Sequence, residues 1–332
     1  MKIKIIIFTY LFLTINVFGQ RKTAEDFGYK HIIFKYKNDK VDILIKSKKG
    51  EEDIKKPLFF FAQGSLPNPL IKYSEEGDYP VFPFNTDSIS QKYHLVIIGK
   101  PYIPLIADTK TLGKDFTYVD STGNFPKEYN KRNLLTYYVD RDIEIIKFLQ
   151  KQSWVSKSKL VAAGHSEGST IVAKMASVSK LITHLIYSGG NPLGRIMSVI
   201  EQSRTTETDI TKDAEASFKY WQDVVNNKTN MNDDGQGDTY KATFEFSIPT
   251  TYYMEKLKIP ILICYGTKDY SSPFNDYFRV DCILKNRKNF QFNAYVGTEH
   301  NFFPMNADNT INFDIYNWDK VANDWLKWLN SN

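Results

Sequence analysis

Cysteine is scarce in this chain of 332 residues, which contains only Cys264 and Cys282. Neither belongs to the repeated cysteine and histidine pattern of a zinc site, so we expect no zinc centre. Their spacing does not require a disulfide, although an exported protein could form one, and their apolar and helix-like surroundings favour two buried thiols. The chain also lacks the phosphate-binding loop G-x-x-x-x-G-K-[ST], and we expect no cofactor.

Concentrated charge is missing as well. The chain has 43 Lys and Arg against 38 Asp and Glu, a net charge of +5, and its lysines are scattered. There is no basic and aromatic platform of the kind that binds nucleic acid. The composition therefore favours a small-molecule partner over nucleic acid and leaves the oligomeric state open.

Long apolar runs are absent except at the start, where residues 5–18 are almost free of charge. This run is too short to favour a stable membrane span. Lys2 and Lys4 precede it and the small residue Gly19 follows it, an order typical of a secretory signal peptide. We expect residues 1–19 to be removed and residues 20–332 to be periplasmic or secreted, with an uncleaved N-terminal anchor as the alternative.

Strand-like and helix-like patterns alternate along the rest of the chain. Residues 31–36 and 41–45 flank a turn and predict a hairpin. Continuous apolar runs typical of strands buried on both faces follow at residues 57–62, 95–98, 160–163, 185–187, 261–265 and 290–296. Helical periodicity at residues 133–151 and 317–329 adds covering helices. The pattern predicts an α/β domain with a mostly parallel, eight-stranded sheet and helices on both faces.

Two segments interrupt this alternation. Residues 102–130 are rich in aromatic and turn residues and predict an excursion over one edge of the sheet. Residues 191–258 are longer and more polar, lie between two core strands, and predict an inserted lid. The aromatic residues of both segments either line a pocket or pack the lid onto the core, and the sequence leaves both readings open. They are Tyr102, Phe116, Tyr118, Phe125, Tyr129, Tyr252 and Tyr253.

One stretch of the lid imitates the start of a calcium-binding loop. Asn230, Asn232 and Asp234 take its first, third and fifth places, and Asp238 could help a loose site. The twelfth place requires a bidentate Glu but holds Lys241. The lysine puts positive charge where the ion would sit, so a polar turn is favoured and no metal is expected.

The most informative motif is Gly164-His165-Ser166-Glu167-Gly168, a G-x-S-x-G pentapeptide between a strand-like and a helix-like run. In this context the pattern is a nucleophile elbow, in which the serine projects from a tight turn. The glycines let the strand and the helix cross closely. Ser166 is therefore the candidate nucleophile, in preference to a serine that merely caps a helix.

A serine needs a base, and the base needs an acid to orient it. In such a sheet the partners follow later strands in the order Ser, Asp or Glu, His. Asp269 follows the strand 261–265 and a glycine turn, and His300 follows the strand 290–296. Asp276 and Asp281 are weaker candidates because both fall in a predicted helix. The other histidines are His31, His94, His165 and His184, of which we expect His165 to point away from the serine and the rest to be structural.

The tetrahedral intermediate of acyl transfer needs two hydrogen-bond donors for its oxyanion. The backbone N–H of Glu167 would supply one of them. The loop after the third strand, Gln63-Gly64-Ser65, should supply the other. We assign this second role to the N–H of Ser65, with that of Gly64 as the close alternative.

These motifs resemble those of the α/β-hydrolase superfamily over essentially the whole mature chain. The elbow, Gly266-Thr267-Lys268-Asp269 and the stretch from Gly297 to Phe302 look like serine esterases and prolyl-oligopeptidase-like hydrolases. The resemblance implies the α/β-hydrolase fold and a serine esterase that cleaves carboxylic esters, and the N-terminal pattern adds the expectation of export. The alternatives are a peptidase of short peptides, an acyltransferase, and a non-catalytic binding protein on the same fold. Gln63 departs from the histidine usual before the oxyanion glycine.

Overall fold

The structure is a computed structural model that describes residues 22–332. The predicted signal peptide lies outside the described residues. Among residues 22–332, no helix combines the length and the apolar character needed to cross a membrane.

The strands form a large sheet and a small one. They are β1 (Lys30–Tyr36), β2 (Asp39–Lys46), β3 (Lys56–Ala62), β4 (Ile71–Ser74), β5 (Gly77–Tyr79), β6 (His94–Ile98), β7 (Ile106–Asp108), β8 (Val155–His165), β9 (His184–Ser188), β10 (Ile261–Gly266) and β11 (Phe290–Tyr295). The large sheet has eight strands in the order β1-β2-β6-β3-β8-β9-β10-β11. Only β2 runs antiparallel to its neighbours, β1 and β6. This confirms the predicted hairpin and the mostly parallel, eight-stranded sheet.

The central strands are buried on both faces, as their continuous apolar runs predict. In β3, Leu58 and Phe60 belong to the apolar cluster on one face, whereas Phe59 and Phe61 belong to the cluster on the other. Successive side chains of a strand point to opposite faces, so a strand covered by helices on both sides must be apolar at every position. The carboxyl ends of the parallel strands consequently share one edge, where loops can meet.

Helices cover both faces of this sheet. They are α1 (Asp87–Ser90), α2 (Lys127–Arg132), α3 (Leu135–Leu149), α4 (Glu167–Val178), α5 (Arg195–Thr206), α6 (Asp213–Asn226), α7 (Tyr240–Phe246), α8 (Thr251–Met254), α9 (Ser272–Leu284) and α10 (Trp318–Ser331). Helices α3, α4 and α9 contribute buried residues to the first cluster, and α1 and α10 to the second. Apolar stripes at helical spacing account for this packing.

The segment 191–258 is a helical insertion between β9 and β10 that contains α5, α6, α7 and α8. Its helix α8 packs on α4, the helix that follows the elbow, and α5 packs on α6. Residues of α5 line a cavity together with Ser166, which follows β8, so this part of the insertion lies at the carboxyl edge of the central strands. We refer to residues 191–258 as the helical insertion below.

The small sheet, in the order β5-β4-β7, was not predicted from the sequence. Its strands have three or four residues, too few to show a period of two, and they are rich in polar side chains. The sheet brings the segment after β3 together with the excursion 102–130, because β4 pairs with β7.

Both cysteines are free, buried thiols in the structure. Burial raises the pKa of Cys264 to about 12 and that of Cys282 to about 11. The Sγ of Cys264 accepts a hydrogen bond of 3.3 Å from the indole N–H of Trp325 in α10. Thiols held in this protonated form are poor nucleophiles and poor metal ligands.

Candidate active site

Ser166 lies in the turn between β8, which ends at His165, and α4, which begins at Glu167. Its backbone has φ 56° and ψ −124°, a strained conformation for a residue with a side chain. The surroundings hold it there: Ser166 N–H donates to Ser188 O at 2.9 Å, and the Oγ of Ser169 donates to Ser166 O at 2.6 Å. These hydrogen bonds hold Ser166 in its strained conformation, and that conformation places the hydroxyl at the edge of the sheet.

The two glycines of the motif are required by close backbone approach. A Cβ on Gly164 would collide with the backbone of Gly168, and a Cβ on Gly168 would collide with the carbonyl of Ala62 in β3. Backbone atoms cannot give way as a flexible side chain can. Alanine at either position would thus force α4 away from the sheet and displace Ser166.

Asp269 and His300 follow the neighbouring parallel strands β10 and β11, and the structure brings them together. The Nδ1 of His300 donates to Asp269 Oδ2 at 2.8 Å, and Ser271 N–H donates to Asp269 Oδ1 at 2.9 Å. Although burial opposes it, the hydrogen bond from His300 lowers the pKa of Asp269. An ionised carboxylate only accepts hydrogen bonds, so Nδ1 of His300 carries the proton and Nε2 remains free as a base.

Ser166 and His300 line the same two cavities of the protein. Within residues 22–332, no hydrogen bond joins the Oγ of Ser166 to the ring of His300. Contacts of this type commonly tighten only in the complex with substrate. The structure therefore places the candidate base and nucleophile at one site without a direct bond between them.

The candidate oxyanion donors lie beside the nucleophile. Glu167 is the first residue of α4, so its N–H points out of the helix N-terminus towards the space in front of Ser166. A Cβ on Gly64 would lie 3.6 Å from Cβ of Ser166, which shows how close the loop after β3 approaches the nucleophile. Ser65 lines both cavities. Gly64 and Ser65 both remain candidates for the second donor.

Two buried side chains hold the carbonyl of Ser65. Lys100 Nζ donates to Ser65 O at 3.0 Å, and the hydroxyl of Tyr129 donates to the same oxygen at 3.1 Å. Lys100 lies in the loop after β6, and Tyr129 lies in α2 and is 2% exposed. The carbonyl of Ser65 belongs to the peptide unit that follows this residue, so holding it fixes the backbone on one side of the Ser65 N–H and limits how that N–H can turn. A rigid oxyanion site needs such restraint.

Lys100 also starts a chain of paired charges that reaches the helical insertion. Its Nζ lies 3.3 Å from Glu167 Oε1, and the other oxygen of Glu167 pairs with Arg195 at the start of α5. Arg195 in turn pairs with Asp238 at 2.5 Å, and Asn133 donates to Asp238 at 2.8 Å. The two cations and two anions balance, which makes their burial tolerable. This charge chain (Lys100, Glu167, Arg195, Asp238) ties both candidate oxyanion loops to the insertion.

The sequence analysis missed Lys100 and Arg195, and it named Tyr129 and Asp238 only as an aromatic of the excursion and as a possible calcium ligand. They lie on different loops and helices, and no short spacing in the sequence links them to the elbow. Burial of charged groups is visible only when the fold is known. No signal in the sequence could have identified them.

Removing the hydroxyl of Tyr129 tests the role of this anchor. Complete loss of an oxyanion donor costs about 10²–10³ in kcat. Since Tyr129→Phe removes one of the two bonds to Ser65 O and leaves the N–H in place, we expect kcat for ester hydrolysis to fall about tenfold. KM should change less than kcat, because the oxyanion forms only after binding.

The control is Tyr102→Phe. It removes a hydroxyl that donates a 2.7 Å hydrogen bond to Asp39, and Tyr102 lines neither cavity. Steady-state kinetics and thermal melting of both variants separate catalysis from folding. An unchanged kcat in Tyr129→Phe would show that the anchor of Ser65 does not serve the reaction.

Two cavities meet at Ser166. The first has a volume of about 460 Å³ and lies under the helical insertion, where Glu167, Arg195 and Asp238 contribute to its wall. The second has a volume of about 480 Å³ and is walled by apolar and proline residues from the segment after β3. Ser65, Ser166 and His300 line both cavities. A substrate with one group on each side of a carbonyl would fit one group into each cavity.

His165 does not point away from the site, contrary to the sequence-based prediction. Its ring centroid lies 4.9 Å from that of His300, and its Nε2 lies 3.3 Å from the side-chain oxygen of Asn301. Its Nδ1 lies 3.1 Å from the hydroxyl of Ser188. Burial, and then the charge of His300, lower the pKa of His165 to about 3. His165 is therefore a neutral wall that supports the ring of His300.

The competing candidates make other contacts. Both aspartates lie in α9. Asp276 accepts a hydrogen bond from the hydroxyl of Tyr265, and Asp281 pairs with Lys285 at 2.8 Å. The three remaining histidines bond to side chains remote from Ser166. His31 bonds to Asp42, His94 to Ser47, and His184 to Thr183.

Neither the aromatic residues of the two interrupting segments nor the calcium-like loop forms a binding site at Ser166. The aromatic residues named above line neither of the two cavities. In the loop 230–235, the carboxylate of Asp234 accepts hydrogen bonds from Tyr220 at 2.7 Å and from Thr243, and Asp238 belongs to the charge chain. No group of side chains among residues 22–332 has the arrangement of a metal site.

Comparison with known proteins gives one family match and many similar folds. The model of the dienelactone hydrolase family matches residues 238–331, which include Asp269 and His300 but not Ser166. No curated protein sequence matches the chain.

Three solved structures illustrate the likeness. The acylaminoacyl peptidase of Pyrococcus horikoshii has a TM-score of 0.50 and 15% identity, and the match covers 82% of this chain and 37% of that one. Est1E of Butyrivibrio proteoclasticus, solved with ferulic acid, has a TM-score of 0.50 and 17% identity over 81% of this chain and 90% of that one. A puromycin-hydrolysing peptidase of Mycobacterium tuberculosis has a TM-score of 0.50 and 12% identity, and the match covers 82% of this chain and 36% of that one. The chain thus spans little more than a third of either peptidase.

Proposed function

Because the chain has the α/β-hydrolase fold, we propose that it is a serine hydrolase that cleaves carboxylic esters through an acyl-enzyme on Ser166. The observation that carries this proposal is the strained Ser166 at the head of α4, in the same cavities as the hydrogen-bonded pair of His300 and Asp269. We further propose, from the N-terminal sequence pattern, that it acts after export.

The proposed reaction has two steps. Ser166 Oγ attacks the carbonyl carbon and its proton passes to Nε2 of His300, while Asp269 holds the imidazolium that forms. The oxyanion lies between the N–H of Glu167 and that of Ser65 or Gly64. The intermediate collapses and the alcohol leaves with the proton of His300. Water then repeats the sequence on the acyl-enzyme and releases the acid.

The charges of the first cavity favour an ester over an unblocked peptide. A peptide whose free amino group lies next to the scissile bond is recognised through an unpaired carboxylate near the nucleophile. The carboxylates that line this cavity are already paired: Glu167 and Asp238 with Arg195, and Asp269 with His300. An ammonium group would have to compete with these partly buried ion pairs for a carboxylate.

A substrate panel on the mature protein tests this proposal. We expect turnover of 4-nitrophenyl acetate and butyrate to exceed turnover of aminoacyl 4-nitroanilides, and to disappear in Ser166→Ala. Added alcohol should not divert the acyl group from water. Faster cleavage of the anilides would show that the protein is a peptidase and not an esterase. Ester turnover that survives in Ser166→Ala would show that Ser166 is not the nucleophile and would refute the proposal.

A further inference from the structure

The second cavity carries an unpaired positive charge. Lys72 in β4 lines this cavity together with Ser166 and His300. Among the described residues, its Nζ has one weak contact, at 3.4 Å from Pro69 O, and no carboxylate pairs with it. Burial lowers the pKa of Lys72, and no neighbouring charge offsets this effect. A half-buried ammonium without a counter-ion is costly unless a ligand supplies one.

The wall of this cavity has no acidic side chain. Its polar groups near Lys72 include the amide of Asn68, whose Oδ1 is buried without a hydrogen-bond partner among residues 22–332. His165 is neutral there, because its pKa falls to about 3. The remainder of the wall is mostly apolar: Phe61, Leu66, Pro69, Leu70, Pro80, Val81, Pro83 and Trp318. The first cavity differs, because acidic residues line it and pair with its cations.

Lys72 is also held in place by its backbone. It lies in the middle strand of the small sheet, where it pairs with Tyr79 of β5 on one side and Ala107 of β7 on the other. A residue in a central strand is positioned more rigidly than one in a loop. The backbone of Lys72 is therefore fixed relative to the wall of the cavity, and its flexible side chain carries the ammonium into the cavity.

We infer that the second cavity binds an apolar group that carries a carboxylate, and that Lys72 is the residue that recognises this carboxylate. The side-chain N–H₂ of Asn68 in the same cavity can donate a further hydrogen bond to the carboxylate, whereas its Oδ1 is an acceptor and is left for a donor group of the ligand. Trp318 and the proline wall contact the apolar body. This inference rests on the proposed function, and it narrows the substrate class to esters with an acidic group on the half that enters the second cavity.

The part of the ester that enters the second cavity is either its acyl part or its alcohol part. Two pairs of esters therefore test the inference, one pair for each part. The first pair is the 4-nitrophenyl monoester of glutaric acid against 4-nitrophenyl pentanoate, and the second is 4-acetoxybenzoate against its methyl ester. We expect the wild-type protein to prefer the carboxylated member of one pair in kcat/KM. A charge-assisted bond of this type corresponds to a preference of roughly 10–100-fold.

Variants of Lys72 should change this ratio. In Lys72→Met the preference should disappear, and in Lys72→Arg most of it should remain. The matched control is Lys157→Met, which removes an exposed lysine outside both cavities. A preference unchanged in Lys72→Met, or no preference in either pair, would overturn the inference even if hydrolysis depends on Ser166.

A binding measurement keeps the inference separate from catalysis. We expect calorimetry on Ser166→Ala to show tighter binding of the carboxylated compound in one of two pairs, 4-hydroxybenzoate against its methyl ester or monomethyl glutarate against methyl pentanoate. Lys72→Met in the same background should remove the difference. Lys72-dependent binding without any hydrolysis would support the inference while refuting the esterase. Equal binding within both pairs would refute the inference and leave the proposed esterase untouched.

Discussion

His300→Ala is expected to lower kcat/KM for ester hydrolysis by about 10⁶-fold, close to the effect of removing the nucleophile itself. The reason is that serine cannot attack while it keeps its proton, and His300 is the base that shares both cavities with Ser166. Stopped-flow or steady-state kinetics with 4-nitrophenyl butyrate measure the loss. The variant should still fold, because the ring of His300 is partly exposed.

The chain offers a matched control for this substitution. The Nε2 of His31 bonds to Asp42 at 2.8 Å, the same separation as between His300 and Asp269, in the hairpin of β1 and β2 remote from Ser166. His31→Ala should keep wild-type kinetics. A loss below about 100-fold in His300→Ala would mean that another group serves as the base, since general-base catalysis alone is worth 10²–10⁴-fold.

Asp269→Asn is expected to lower kcat about 10⁴-fold and to move the acid limb of the pH profile to lower pH. Burial by itself lowers the pKa of His300, but the hydrogen bond and charge of Asp269, with a smaller contribution from Glu299, raise it above its ordinary value. Protonated His300 cannot accept the proton of Ser166. Wild-type activity should therefore fall as the pH drops through a midpoint above about 6.5, the ordinary value for histidine.

With asparagine at position 269, the contribution that raises the pKa of His300 is lost, and the effect of burial, which lowers it, remains. The midpoint should then lie below the wild-type one, while the plateau falls because the amide favours the wrong tautomer of His300. Asp276→Asn, which alters the partner of Tyr265 in α9, is the matched control and should keep both the plateau and the midpoint. A wild-type midpoint in Asp269→Asn would contradict the account of how His300 is held.

The fold was predictable because its signals are local and strong. Continuous apolar runs indicated the parallel strands, and the antiparallel hairpin of the large sheet, β1 with β2, carried a hairpin pattern. Close contact between backbones requires glycine on both sides of Ser166, so the motif can be recognised from the sequence alone. The order of Ser166, Asp269 and His300 follows from parallel strands whose carboxyl ends share an edge.

The unpredicted parts depend on contacts between distant segments. The charge chain joins residues from four separate loops and helix ends, and the position of Lys72 depends on a small sheet whose strands are too short to show periodicity. His165 was misjudged because the turn at Ser166 fixes only its backbone. The direction of its ring depends on Ser188 and Asn301, which belong to other strands and loops.

The site of covalent modification tests the central claim most directly. A fluorophosphonate reacts with a serine whose oxygen is activated by a base and whose adduct is held by oxyanion donors. Peptide mass mapping of the labelled mature protein should find one adduct, on Ser166, and labelling should be lost in His300→Ala but kept in His31→Ala. An adduct on another serine such as Ser65 or Ser169, or ester turnover without any adduct, would contradict it.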